Sequence, residues 1–391
     1  MVSKTVVRLI LAFVLCVMIL VAGCGSPSKK PAMSEDQLDH AMAEHAEMEH
    51  ATEAMDEPVH EEEEATEHAT AEVQSVQAAV EPEQPDVVES EGPKPSAELV
   101  LKFKPEDSTT YKLTTESEKS VLWEGPDGSK PSNFGGGHTG SDVGLTFEQR
   151  VESVNEQGNA IIQITIKSLK YTARVKDNVV LDFDSAKDKD NPLSAMIGQS
   201  YTIEFTPSGQ VVRIVDASKV RTAIKGGSPA ARAGQTLVSD DVIKERHAIP
   251  ALPGGSKKEF ARGDSWSNNK SFNFGMMGAK SYEKVYELKD VEQSDESRVA
   301  VAEMNAVPST QDAKELHKEQ VSSSFTKMFD NIETYTGRLR LDLNTGKVLE
   351  YRENLKTEWL AVDPSYNADE QKRPNALRMA AQRMFLLERI D

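Results

Sequence analysis

From Glu98 onward the chain alternates apolar and polar residues in runs broken by Gly, Asn and Asp. That period of two limits the fold more than any other feature, because successive strand side chains point to opposite faces of a sheet. The longest pair of runs is Leu145–Val154 and Ala160–Leu169, separated by the turn Asn155–Asn159, which predicts a hairpin. Leu99–Phe103 and Tyr111–Thr114 read as short strands, and Thr202–Phe205 with Val211–Val215 as a second hairpin about Pro207-Ser208-Gly209-Gln210. The second half repeats this order: Tyr282–Val291 with Arg298–Met304 echoes the long hairpin, and Gly337–Tyr351 echoes the glycine-turn hairpin. The expectation is a mainly β (α+β) protein of antiparallel sheets, with two similar halves over 97–248 and 249–391. A few packing helices are expected at Asp216–Lys225, Ser239–His247 and Gln311–Phe329. A terminal helix over Pro374–Ile390 would set Leu377, Met384, Phe385 and Leu387 on the sheet or, with its arginines, against a membrane.

The N-terminus has a different character. Lys4 and Arg8 precede an apolar run from Leu9 to Ala22, long enough for a signal sequence and short for a membrane span. The residues Val21-Ala22-Gly23-Cys24 resemble the bacterial lipoprotein signal. The resemblance implies removal of residues 1–23 by cleavage between Gly23 and Cys24, acylation of Cys24, and a mature protein anchored to a membrane without spanning it. The lack of Asp after Cys24 implies, by the same resemblance, the outer membrane with the protein facing the periplasm. The chain has two cysteines, Cys16 and Cys24. One lies in the signal and the other at the lipidation site, so the mature chain would hold no disulfide and no nucleophilic thiol.

Acidity is concentrated in residues 24–96. Between Pro31 and Pro93 there are 20 Asp and Glu and no Lys or Arg, whereas Lys94 to Asp391 carries 41 basic and 44 acidic residues. A segment so charged and so poor in apolar residues cannot offset its chain entropy, so a disordered tether is expected. About 65 flexible residues give a root-mean-square reach of roughly 45 Å. Five of the eight histidines fall here, interleaved with methionine. His40, Met42, His45, Met48 and His50 are therefore candidate ligands for weak copper or zinc binding. The five-residue spacing of His40, His45 and His50 turns each about 140° around a helix from the last, so one helical face cannot present all three. A solvated acidic spacer without a cofactor is the plainer expectation.

The remaining residues offer little chemistry. His138, His247 and His317 fall in no triad or metal motif, and no nucleophile elbow is present. Gly135–Ser141 lacks the Lys-Ser/Thr of a phosphate-binding loop and reads as a loop between strands. Asp182, Asp184, Asp188 and Asp190 are interrupted by Lys187 and Lys189, which disfavours a calcium loop. No clustered basic residues point to nucleic acid. The proline-bounded Ile249–Pro253 followed by Gly263-Asp264-Ser265-Trp266, together with the lipoprotein signal, resembles a family of bacterial predicted lipoproteins of unknown function. That family supplies no catalytic residues, and Trp266 reads as a core or junction aromatic. The expected function is non-enzymatic: a membrane-anchored envelope lipoprotein whose β domain binds an envelope protein, a polymer or an apolar ligand. Metal buffering by the tether is the alternative.

Overall fold

In a computed structural model of the protein the described residues are 96–126, 130–132, 134–255, 257, 259–274, 279–294, 297–309, 330–362 and 375–391. The first half supplies strands β1 (Ser96–Glu98), β2 (Ser108–Glu124), β3 (Gly137–Val154), β4 (Ala160–Val175), β5 (Asn178–Asp184), β6 (Ser200–Phe205) and β7 (Val211–Asp216), with a 3₁₀ turn at Pro192–Met196 before β6. Helices α1 (Ser218–Ala223), α2 (Pro229–Leu237) and α3 (Asp240–His247) follow. The second half supplies β8 (Glu259–Ala261), β9 (Ser265–Asn273), β10 (Ala279–Gln293), β11 (Arg298–Pro308), β12 (Asp330–Asp342), β13 (Lys347–Val362) and β14 (Ala376–Arg389). The protein is mainly β and antiparallel, as expected.

Strands of both halves lie in one twelve-stranded sheet, ordered β7-β6-β4-β3-β2-β14-β13-β12-β11-β10-β9 with β5 also on β4. This is an up-and-down meander whose break in chain order, β14 beside β2, sits in the middle. The connection between the two edge strands, β7 and β9, must therefore travel from one side of the sheet to the other. It does so along one face. His247 packs edge-on against Phe147 of β3 at 4.9 Å, and the next residues reach β9, where Trp266 Nε1 and Asn268 Nδ2 donate to the carbonyls of Ala251 (3.0 Å) and Pro250 (2.5 Å). Ile243, Ile249, Ala251 and Leu252 are buried along the way.

The long hairpin forms as predicted. Asn155 Oδ1 accepts from the backbone N–H of Gln157 and Asn159, each at 3.0 Å, and so fixes the turn. Ala160, Ile162, Ile164 and Ile166 face the core. A register shift opposite Thr146/Phe147 then returns Leu169, Tyr171, Ala173 and Val175 to that same face. Both glycine-turn hairpins also form, as β6–β7 and β12–β13. Helix α3 starts where expected, with Ser239 as N-cap to Val242 N. Helix α2 was not anticipated, although Ser228 followed by Pro229 is a start signal and Ser228 caps Ala231 N.

Three expectations are corrected. The terminal segment is strand β14, not a helix: its Ala, Leu, Met, Gln and Arg favour helix, but it lies between β13 and β2 and pairs along its length with both. Without it β2 and β13 would become two further open edges, so tertiary pairing outweighs local propensity. Leu99–Phe103 is not a strand. Its N–H groups go to turns, Leu101 to the carbonyl of Pro207 (2.8 Å) and Lys102 to that of Gly346 (3.3 Å), so it ties the two glycine turns together. Finally, Gly137–Ser141 is not a loop but the start of β3. A Cβ at Gly140 would lie 2.1 Å from the Ser117 carbonyl oxygen, so only glycine admits the neighbouring backbone. The expected helix at Gln311–Phe329 lies outside the described residues.

Candidate functional site

The face crossed by the helical connection is concave, and its lower half is filled. Tyr351, Leu387, Leu113, Leu145 and Leu169 form one register row across five strands, all buried. The adjoining row holds a polar cluster at the second-half end. The Glu353 carboxylate of β13 accepts from Lys284 Nζ at 3.0 Å and Tyr286 OH at 3.3 Å, and from the hydroxyls of Tyr335 and Tyr351. Only 2% of the Lys284 side chain and 16% of that of Glu353 are exposed. Gly337, the register partner of Glu353, makes room for Met304 beside the cluster: a Cβ there would lie 2.9 Å from the Arg352 carbonyl oxygen and 3.0 Å from Met304 Cε. Burial would raise the Glu353 pKa, but the Lys284 charge and the tyrosine donors outweigh it and hold the group below its ordinary value. Burial, and then the Glu353 charge, push Tyr335 and Tyr351 well above theirs. The cluster is thus locked as a carboxylate among protonated phenols. An aromatic wall stands beside it: Trp266 stacks on Tyr286 (5.8 Å, 9°), and Phe272 meets Tyr282 and Tyr335 edge-on.

Above the leucine row, the concave face of β14, β2 and β3 is only half-buried at most positions. Its inward residues on β14 are Leu377, Met379, Ala381, Arg383 and Phe385; on β2, Thr115, Ser117, Lys119, Val121 and Trp123; on β3, Gly137, Thr139, Ser141 and Val143. Of these only Met379, Ala381 and Ser141 are buried. The small side chains of this face are flanked by Phe385, Val143, Val121, Trp123 and Leu377. These five are partly exposed, and all but Trp123 pack against the core. The upper face is thus a half-buried strip of small residues between apolar ones, referred to below as the trough.

At the lower end of the concavity His247, 5% exposed, has Nε2 at 2.6 Å from the Tyr201 hydroxyl. Burial, reinforced by the neighbouring Arg246 charge, lowers its pKa well below the ordinary value. In unfolded chain the imidazole binds a proton near pH 6.5, and in the fold it does not. The unfolded state therefore gains protons first, so stability is fully present above about pH 6.5 and is lost as pH falls below it. The expected slope is at most about 1.4 kcal/mol per pH unit. Urea midpoints measured between about pH 7.5 and pH 5 should fall for the parent protein and stay flatter for His247→Gln. Equal slopes would assign the acid loss elsewhere. The lowered Glu353 contributes in a separate window, its stabilisation being lost as pH falls below the ordinary carboxylate range.

Gly23 and Cys24, and His40, Met42, His45, Met48 and His50, lie outside the described residues, as does His317. Among the described residues no group of three His, Cys, Asp or Glu could hold a metal ion. Asp184 is occupied by the N–H of Ala186 (2.9 Å) and by Lys170 (3.1 Å), and Asp182 by the Thr172 hydroxyl (3.2 Å). His138 pairs with Glu118 at 3.0 Å. Trp266 packs against Phe260 and Tyr286 and donates to the Ala251 carbonyl. Neither the Glu353 cluster nor the trough was found from sequence. No protein-family profile matches the chain, and no curated protein matches it. Among solved structures it is similar to one described as lipid–protein interactions in lipovitellin, at 10% identity and a TM-score of 0.34, covering 74% of this chain and 26% of that one. It is also similar to DynF from the dynemicin biosynthesis pathway of Micromonospora chersina, at 7% identity and a TM-score of 0.16, covering 80% and 93%. The chain thus spans about a quarter of the lipovitellin chain.

Proposed function

We propose that the protein is a non-enzymatic, lipid-anchored binding module of a bacterial envelope, whose concave sheet face receives an apolar chain. The observation that carries this reading is the half-buried upper face of β14, β2 and β3, where small residues stand among Phe385, Val143, Val121, Trp123 and Leu377. Apolar surface left accessible in a concavity gains about 25 cal/mol for each Å² that a ligand covers. Cys24 acylation would tether the module to a membrane, in the outer membrane and facing the periplasm, and the acidic segment 24–96 would let it work at a distance.

Tryptophan fluorescence tests the binding half of the proposal. A fatty acid brominated along its chain should quench the protein, and Trp123→Phe should remove most of that quenching, because Trp359 is buried and Trp266 stands on β9, its ring stacked on Tyr286 and its Nε1 donating to the Ala251 carbonyl. No saturable quenching, or quenching unchanged in Trp123→Phe, would contradict it.

A further inference from the structure

We propose that the protein pairs with a second copy of itself through the open edge of β9, in an antiparallel register centred on Asn269. The inference is independent of what the concave face binds. β9 ends the sheet, and among the described residues no strand pairs with its outer side. The phase of its hydrogen bonds is fixed by β10. There the Ser281 carbonyl accepts from Ser309 N–H on the β11 side (2.8 Å), while Leu288 N–H donates to the Asp264 carbonyl on the β9 side (2.9 Å). Bonded pairs recur at every second residue, so Trp266, Asn268, Lys270 and Phe272 direct their backbone groups at β10. Those of Ser265, Ser267, Asn269 and Ser271 point off the edge, and the first three of these residues are exposed.

An exposed edge is normally blunted by a proline, a bulge, a charge or a short strand. β7, at the opposite end of the sheet, is 6 residues long, shifts register against β6 and carries Arg213 and Asp216. β9 runs for 9 residues with no proline and no shift against β10. Its one charge, Lys270, is held by Glu245 at 2.9 Å on the concave face. The strand is also self-complementary. With Asn269 opposite Asn269 of the second copy, Ser267 meets Ser271, Asn268 meets Lys270 and Trp266 meets Phe272. From Ser267 to Ser271 every backbone group that points off one edge then faces one that points off the other, giving about two hydrogen bonds per bonded pair. A shift by one residue loses that match. Centring on Lys270 sets two lysines directly opposite, and centring on Asn268 gives up the Trp266–Phe272 pair. The two-fold axis of the chosen register stands normal to the sheet, so the two twelve-stranded sheets become continuous and both concave faces open on the same side.

Disulfide trapping reads this register directly, in the full chain with Cys16→Ser and Cys24→Ser as the background. Bonded residues opposite each other on antiparallel strands have Cα atoms about 5.5 Å apart, within disulfide range. On mild oxidation Asn269→Cys should therefore form covalent dimer at least about tenfold above the background chain. Ser267→Cys and Ser271→Cys should each stay monomeric alone and cross-link when the two are mixed, because each lies opposite the other. An Asn269→Pro chain, whose lost N–H points away from β10, should sediment as a monomer where the background chain sediments as a dimer. If Asn269→Pro fails to fold, the cysteine pattern still decides. Background-level cross-linking of Asn269→Cys, loss of the mixed product, or equal cross-linking of all three cysteine variants alone overturns the pairing. So does a background chain that stays monomeric at the highest concentration it tolerates.

Discussion

A Glu353→Leu protein should be less stable than the parent by about 3–5 kcal/mol, because it leaves the Lys284 charge buried without a counter-charge. Lys284 is 2% exposed and has its Nζ at 3.0 Å from the Glu353 carboxylate, so that carboxylate stands in for most of its lost hydration. Three tyrosine hydroxyls also lose their acceptor. The 16% exposure of Glu353 gives water some access to the vacated space, which favours the lower end of the range. For domains of up to about 250 residues 1 kcal/mol shifts the melting temperature by about 2–4 °C, so a drop on the order of 10 °C is expected. The companion variant Lys284→Met/Glu353→Leu should recover much of the loss, since apolar replacement of a whole buried pair is often neutral or stabilising. Recovery should stop short of the parent because the phenols remain without their acceptor, at about 1 kcal/mol per lost hydrogen bond. A single variant costing less than about 1 kcal/mol would contradict the view that this pair is a closed electrostatic unit.

Cys24→Ser should abolish acylation outright. Only a thiol forms the thioether that carries the diacylglycerol, so incorporation of labelled palmitate should fall from the parent level to background. Two sixteen-carbon chains, at about 0.8 kcal/mol per methylene, supply on the order of 20 kcal/mol of membrane binding. No other feature proposed for the protein matches that energy. Label retained at the parent level would place the lipid elsewhere in the chain and remove the basis for reading Val21-Ala22-Gly23-Cys24 as a lipoprotein signal.

Where backbone pairing is local in sequence, the fold was legible. The alternation of Leu145, Phe147 and Val151 against Ile162, Ile164 and Ile166 names both strands and their inward face, and Asn155 marks the turn. The two glycine-turn hairpins were legible for the same reason. What failed depends on partners far along the chain. β14 reads as a helix because its residues favour one, and only its position between β13 and β2 decides otherwise. The candidate site was illegible for a related reason. Thr115, Ser117, Lys119, Thr139 and Ser141 are the residues expected on a solvent-facing side of a strand, yet they continue the inward alternation of Leu113 and Leu145, and only the placement of β14 beside β2 sets them next to Arg383 and Phe385. Glu353 and Lys284 are 69 positions apart, and nothing in their neighbours announces the pairing.

The same dependence on register makes the trough open to a direct test by filling its floor. Ser117 sits half-buried between Arg383 and Ser141, so Ser117→Phe should occupy the space above the sheet without reaching the leucine row. The decisive measurement is tryptophan quenching by a brominated fatty acid in parent and Ser117→Phe proteins of matched denaturation midpoint. Saturable quenching in the parent and its loss in the variant is the predicted result; equal quenching in both would show that the chain binds somewhere other than this face.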